Sequence, residues 1–436
     1  MKLILKGGRV VDPANDRDGA FDVLLIDGRI ARVGKDLPVE DAEVFEVRRE
    51  WIVVPGLIDM HVHLREPGHE HKETIATGCA AAVAGGFTAV ACMPNTDPVN
   101  DHAGITQSVL RKAADTGTAR VYPIGAVSMG SKGEQLAELA EQKAAGCVAF
   151  SDDGRPVATA LLMRRALEYA GMLGVPIIDH CEDPSLKGDG VVHEGYYASA
   201  LGLRGIPGIA ESLMVERDVS LAELTGSHVH IAHMSARQSL RAVRGGKERG
   251  AQVTCEVTPH HFTLTDEALN GEPKYDTNLK MNPPLREAAD RDAILEGLAD
   301  GTIDAIATDH APHHLDEKLT EFDQAPFGIV GLETAVPLVF DRLVHSGRIG
   351  LRRMVELLSA NPARILNVEG GGLSEGTPAD VTILAPDLAV TVSTARMKTK
   401  SKNTPFDGWQ VRGGVIATIV GGRIVYGEGS RVKGEG

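Results

Sequence analysis

Apolar residues fall in brief runs at both ends of the chain and in longer, regularly spaced runs between them. Over residues 1–55, Val10-Val11 and Val23-Leu24-Leu25-Ile26 read as strands, and Asp27-Gly28 between Ile26 and Ile30 marks a hairpin turn. Near the other end, Ala379–Leu384 and Val415–Val420 read the same way. Gly7-Gly8-Arg9-Val10-Val11 is echoed there by Gly421-Gly422-Arg423-Ile424-Val425. Neither end alone carries enough strands for a stable sheet. The two ends are therefore expected to pair into one small β-sandwich domain, residues 1–55 with 365–436.

Residues 56–364 follow another rhythm. Eight apolar runs each end in polar residues: Val53–His63, Thr88–Asn95, Arg120–Val127, Cys147–Asp153, Val175–His180, His228–His233, Gln252–His260 and Ile303–Asp309. Between most of them lie Ala-, Leu-, Glu- and Arg-rich stretches long enough for a helix, such as Glu134–Ala145. Eight βα units predict an α/β fold, a (β/α)8 TIM-type barrel whose chemistry sits at the C-terminal ends of the strands. An open doubly wound sheet would want a Gly-x-Gly-x-x-Gly turn after a strand, and none stands in that setting.

Composition narrows the function classes. Gly is abundant (49) and aromatics are few (4%), which suits tight strand-to-helix turns better than an aromatic binding platform. A net charge of −15 argues against nucleic-acid or anionic-membrane partners. It also means that an anionic substrate needs positive charge inside its site. The five cysteines, Cys79, Cys92, Cys147, Cys181 and Cys255, are widely spaced and read as reduced thiols of a cytoplasmic protein. The opening residues are too quickly polar for a signal peptide, and no run reaches the roughly 20 apolar residues of a membrane helix.

The candidate chemistry lies where the eight runs end. The first ends His61-Val62-His63, and the period of two along a strand points both imidazoles into the barrel mouth. The fourth ends Asp152-Asp153-Gly154, the fifth Asp179-His180, the sixth His233 and the eighth Asp309, with His310 and His313 close behind. Four histidines and two aspartates gathered there form a nitrogen/oxygen ligand set suited to Zn²⁺. A lone histidine at a strand end is ordinarily a hydrogen-bonded residue; the gathering is what points to metal. By parity with His233, His228 and His230 are expected to face the helices. His69, His71, His102 and His193 read as solvated, and Cys181 as structural. Asp304 begins the eighth run, at the wrong end for catalysis. Arg65 shares the parity of His63 and can clamp a substrate carboxylate over the metal; its bland alternative is a surface pair with Glu66 or Glu70. Asn95, ending the second run, can add a hydrogen bond. Leu315–Gln324 reads equally as a mobile lid or an exposed loop.

Asp59-Met60-His61-Val62-His63-Leu64-Arg65-Glu66-Pro67-Gly68 resembles the signature of dihydroorotases and their cyclic amidohydrolase relatives. Met93-Pro94-Asn95-Thr96, Ala307–His313 and Asn361-Pro362-Ala363-Arg364 extend the resemblance over essentially the whole chain. Hydantoinases, dihydropyrimidinases, allantoinases and the other dihydroorotase type carry a carboxylated Lys at the end of strand four, and no Lys stands there in this chain. The resemblance is therefore to the long-chain bacterial (class I) dihydroorotases. It implies Asp153, rather than Asp152, as the residue in place of that Lys. It implies the closure of N-carbamoyl-L-aspartate to L-dihydroorotate and water, and its reverse, in pyrimidine biosynthesis. His61, His63 and Asp309 are expected to hold one Zn²⁺, with Asp153 bridging to a second held by His180 and His233; one ion or two both remain open. Asp309 is the expected acid/base. The resemblance also places His63, Asn278, His313, Phe327 and Gly328 beside the substrate. As partners it implies further copies of the chain and, in some members, aspartate transcarbamoylase. The rivals are a cyclic amidohydrolase acting on neutral rings and a barrel that has lost catalysis and serves in assembly.

Overall fold

A computed structural model describes residues 1–427; residues 428–436 of the expected C-terminal segment lie outside the described residues. Eight parallel strands pair in chain order: Leu57–Val62, Phe87–Cys92, Arg120–Gly125, Ala149–Phe150, Ile177–Asp179, Val229–Ile231, Val253–Val257 and Ala305–Ile306. The ring closes where Val62 bridges His310, with the His63 N–H donating to the His310 carbonyl at 2.8 Å. Helices such as Ile75–Ala84, Ala160–Leu173 and Ile209–Thr225 separate the strands. Thr74 and Thr159 cap two of these helices through their hydroxyls. The helices bury their apolar faces on outward strand residues such as Val229 and Ile231. Inside the ring the apolar filling is mostly small or unbranched: Met60, Ala91, Ala149, Ala305 and Ala307.

Two sheets form the β-sandwich. One has the strand order Arg29–Gly34, Asp22–Ile26, Lys2–Lys6, Glu43–Glu46. The other runs Arg423–Gly427, Gln410–Val420, Val381–Thr391, Ile52–Pro55, Arg9–Asp12, Arg17–Ala20, so strands from both ends of the chain share it. Leu3, Leu25, Ile30, Val53, Val381 and Ile419 fill the space between. The hairpin at Asp27-Gly28 forms with φ of 48° and 80°, the paired positive angles that suit the twist of its strands.

The structure corrects three readings. The run Val53–His63 is two strands, one in each domain, broken at Gly56. The Gly56 N–H donates to Asp380 O at 2.9 Å, and a β-carbon there would lie 2.2 Å from Thr88 Oγ1. His228 and His230 face the barrel interior, not the helices: His230 Nδ1 lies 2.8 Å and His228 Nε2 2.7 Å from Thr254 Oγ1. The strand stops at Ile231 and the chain turns, so His233, with φ of 29°, reaches the mouth out of register. His193 is buried, its Nδ1 3.1 Å from Arg286 Nη1.

Candidate metal centre and its pocket

Six buried side chains converge at the C-terminal mouth of the barrel, with Asp153 at their middle. Its Oδ1 lies 3.4 Å from His61 Nε2, 3.4 Å from His233 Nε2 and 3.7 Å from His180 Nδ1. Its Oδ2 is 3.5 Å from His63 Nε2. Asp309 Oδ1 stands 3.0 Å from His63 Nε2 and 3.6 Å from His61 Nε2. Two sets, His61–His63–Asp309 and His61–Asp153–His233, have donor atoms close enough to share an ion. Asp152 turns away, accepting from the Ser128 N–H at 3.0 Å and from its hydroxyl.

The strands bring these groups in by leaving regular geometry. Strand four ends at Phe150 and strand eight at Ile306, so Asp153 and Asp309 sit on the turns beyond. Arg65, His233 and Asp309 have φ of 61°, 29° and 47°, a region that side chains resist and that recurs at functional sites. Beneath them Asp59 ties strand one to strand eight: its Oδ2 accepts from the Thr308 hydroxyl at 2.6 Å.

On three of the four histidines the ring nitrogen that faces away from the centre is also held; His233 Nδ1 is buried without a hydrogen-bond partner. His61 Nδ1 lies 2.7 Å from Glu256 Oε1, His63 Nδ1 2.8 Å from Asn95 Oδ1, and His180 Nε2 3.2 Å from Asn282 Nδ2. Burial opposes ionisation of Asp153, but the surrounding imidazoles outweigh it and hold the carboxyl well below its ordinary range. Asp309 is lowered for the same reasons, with His63 its strongest partner. Burial disfavours a charged His180, yet Asp153 and Glu182 lift it to about 10. His61, buried against Asp153 and Glu256, also ends well above its usual value. The carboxylates thus favour positive charge among them, which is the electrostatic condition for a cation. His61 Nε2 and Asp153 Oδ1 are buried without a hydrogen-bond partner, a costly state for polar atoms unless an ion engages them. The donor set fits a metal.

Above the centre lies a pocket of about 350 Å³, within the usual range for small-molecule sites. Arg65 enters from one side, its Nε donating to Pro312 O at 3.2 Å. Burial lowers its pKa to about 10, so it stays cationic at neutral pH. His313 Nε2 is 2.8 Å from Phe327 O, and burial beside Arg65 and Lys72 keeps this imidazole neutral. Asn95, Phe327 and Gly328 complete the expected lining, joined by Lys187 and Asn282, which the sequence reading missed. Lys187 pairs with Glu182 at 2.6 Å. Asn278 lines a neighbouring cavity of about 270 Å³ that shares His313 with this pocket. Of the Leu315–Gln324 segment, Leu315–Lys318 is a short helix, and Lys318 and Phe322 are buried rather than exposed. A larger groove of about 720 Å³ lies between Leu110, Tyr122 and Val420; among the described residues no cluster of metal-ligating groups gathers there.

Comparison with known proteins agrees with this geometry. Residues 50–239 match the family described as Dihydro-orotase-like, and residues 225–426 match the Amidohydrolase family. The dihydroorotase of Pelotomaculum thermopropionicum is 56% identical, covering 98% of both chains. That of Syntrophotalea carbinolica is 54% identical over 98% of this chain and 99% of its own. Among solved structures, the L-hydantoinase (dihydropyrimidinase) of Arthrobacter aurescens superposes with a TM-score of 0.86 at 24% identity, covering 98% of this chain and 96% of that one. The dihydropyrimidinase of Brevibacillus agri gives 0.84 at 23%, covering 98% and 95%. These two share the fold. Among the described residues no helix is long and apolar enough to cross a membrane. A metal-suited barrel mouth and relatives more than half identical over nearly the whole length lead to one assignment: the chain belongs to the dihydroorotase family of the amidohydrolases.

Proposed function

We propose that the chain interconverts L-dihydroorotate and N-carbamoyl-L-aspartate as a zinc enzyme of pyrimidine biosynthesis. The observation that carries this reading is the convergence of four histidines on Asp153, with Asp309 beside His63 and His61, under the half-buried Arg65. His61, His63 and Asp309 would hold one Zn²⁺, and Asp153, His180 and His233 a second; imidazole and carboxylate donors suit that ion. When bound, the metal supplies Lewis-acid polarisation of the amide carbonyl and makes water more acidic.

The chain's own residues supply the rest. The Arg65 guanidinium binds the ring carboxylate at two points and orients the ring. Asn95 holds His63 through Oδ1, leaving its amide nitrogen for the substrate. His313 and the Phe327–Gly328 backbone close the far side. In ring opening a C–O bond forms at the carbonyl carbon and the ring C–N bond breaks. Asp309 takes a proton from the attacking water and delivers it to the departing ring nitrogen; in ring closure it runs in reverse. The division of labour is between residues 56–364, which carry the site, and a β-domain of 1–55 with 365–436, which abuts the barrel at Gly56.

Ring opening of L-dihydroorotate, followed by ultraviolet absorbance, tests this. The protein is assayed as purified, metal-stripped and zinc-restored, with dihydrouracil, hydantoin and allantoin in parallel. Turnover of dihydroorotate alone, lost on stripping and regained with zinc, is expected. Turnover of a neutral ring instead overturns the carboxylate clamp, and full activity without metal overturns the centre.

A further inference from the structure

Glu256 is a carboxylate in the barrel interior, where this architecture ordinarily packs branched aliphatic side chains. It is 1% exposed and does not line the pocket, so it takes no part in the proton transfer proposed above. A buried carboxylate is costly unless it is fully engaged. Both of its oxygens are in contact with strand-one and strand-six groups. Oε1 lies 2.7 Å from His61 Nδ1 and accepts from the His233 backbone N–H at 3.3 Å. Oε2 lies 3.3 Å from His230 Nε2 but off hydrogen-bond geometry, so neither atom has a hydrogen-bond partner and the carboxylate is held through Oε1. The far ring nitrogen of His230 rests on Thr254, two residues back along the same strand as Glu256 and therefore on the same face. The result is a polar ladder running from His61 down the barrel interior.

An ionised carboxylate only accepts hydrogen bonds. Glu256 therefore takes the proton on His61 Nδ1, so Nε2, 3.4 and 3.6 Å from Asp153 and Asp309, is the ring nitrogen left to face an ion. The same oxygen holds the main chain of His233, whose φ of 29° needs an anchor. We infer that Glu256 is the positioning residue of the metal centre, fixing the tautomer and aim of His61 and the strained turn of His233 through one carboxylate. Through His61 and the His233 main chain, Glu256 touches one residue of each proposed ion site. Outer partners of this kind change metal affinity by about 10–100-fold.

The inference rests on the metal-centre reading, and its test separates the two. Zinc affinity is measured by chelator competition, and the coordination geometry by the visible spectrum of the Co²⁺-loaded chain. The unsubstituted chain, Glu256→Gln, Glu256→Asp and His230→Gln are compared. Glu256→Gln keeps the volume and loses the charge; Glu256→Asp keeps the charge and withdraws it from His61. Both are expected to weaken zinc binding by about 10–100-fold and to alter the cobalt spectrum. The unfolding midpoint of the metal-stripped chain stays within a few degrees. His230→Gln, which touches only the lower oxygen, keeps near-normal affinity. Unchanged affinity and spectrum in both Glu256 variants overturn the inference. So does an equal loss in His230→Gln, which assigns the effect to the ladder's packing. Failure of the unsubstituted chain to bind zinc or cobalt overturns the metal-centre reading itself.

Discussion

Asp309 combines an unfavourable backbone angle, near-complete burial and a short contact to His63 Nε2 at 3.0 Å. Its ionisation is held by the imidazoles around it, so at neutral pH it is a proton acceptor already in the required state. Asp309→Asn preserves its shape and removes that capacity. Turnover of dihydroorotate is expected to fall by about 10²–10⁴ or more, because acid/base assistance is worth that much. The circular dichroism spectrum should be unchanged. Near-normal turnover by the variant would refute the role. Side chains of this kind were legible because His61-Val62-His63 and the aspartates at run ends gather chemistry at one end of the barrel, with the choice of Asp153 over Asp152 left to the family resemblance. Glu256 and Lys187 were not, since neither stands in a motif and their partners lie far along the chain, at His61 and at the pocket. The misreading of His230 has a definite cause: parity was counted back from His233 through a turn that breaks it.

Between single residues and the fold, the segment after strand eight supplies one wall of the pocket, from Asp309, Ala311 and His313 to Pro326, Phe327 and Gly328. Lys318, 4% exposed, donates to Pro326 O at 2.9 Å and to Gly328 O at 3.1 Å, straddling Phe327. It thereby fixes the backbone that accepts from His313. Burial pulls its pKa down to about 7, with Lys280 adding to the effect, so the clamp includes charged and neutral forms near neutrality, each able to donate. Lys318→Met fills similar space and leaves the Pro326 carbonyl unpaired, while Gly328 O keeps the Asn403 amide at 3.0 Å. The KM for dihydroorotate is expected to rise by about 3–30-fold, the equivalent of one lost hydrogen bond with its unsatisfied partner, while zinc affinity stays unchanged. Equal KM in variant and wild type would show that the segment does not shape the pocket. The sequence left this segment undecided between lid and loop because its polar composition hides the one lysine that packs inward. Strand limits were blurred for a related reason. Apolar and functional residues run together through Gly56 and past Phe150 and Ile306, and only tertiary contact shows where pairing stops.

Over the whole molecule, the pairing of the two chain ends was readable from the Gly-Gly-Arg echo, but the way the barrel's insertion is tied down was not. Residues 182–206 leave the barrel after His180 and are pinned by Arg286, 4% exposed. Its Nη1 lies 3.1 Å from His193 Nδ1 and donates to Ile206 O at 3.0 Å, while Nη2 meets Glu211 at 3.4 Å. Burial, reinforced by the Arg286 charge, lowers His193 to about 4, against about 6.5 in an unfolded chain. As pH falls through 6.5 the unfolded state therefore takes up a proton that the folded state refuses. Stability from this group is full above about pH 6.5 and is lost progressively down to about pH 4. At about pH 5 the loss amounts to up to about 2 kcal/mol. His193→Gln removes the titrating group and keeps a side chain able to meet Arg286. Urea unfolding of metal-stripped wild type and variant at about pH 7.5 and about pH 5 isolates the effect, since acid release of metal is then absent from both. The wild type should lose more stability between the two pH values than the variant, by up to about 2 kcal/mol. An equal loss in both would mean that His193 takes up its proton without disturbing the arginine, and that the insertion is held by Glu211 and the Ile206 carbonyl alone.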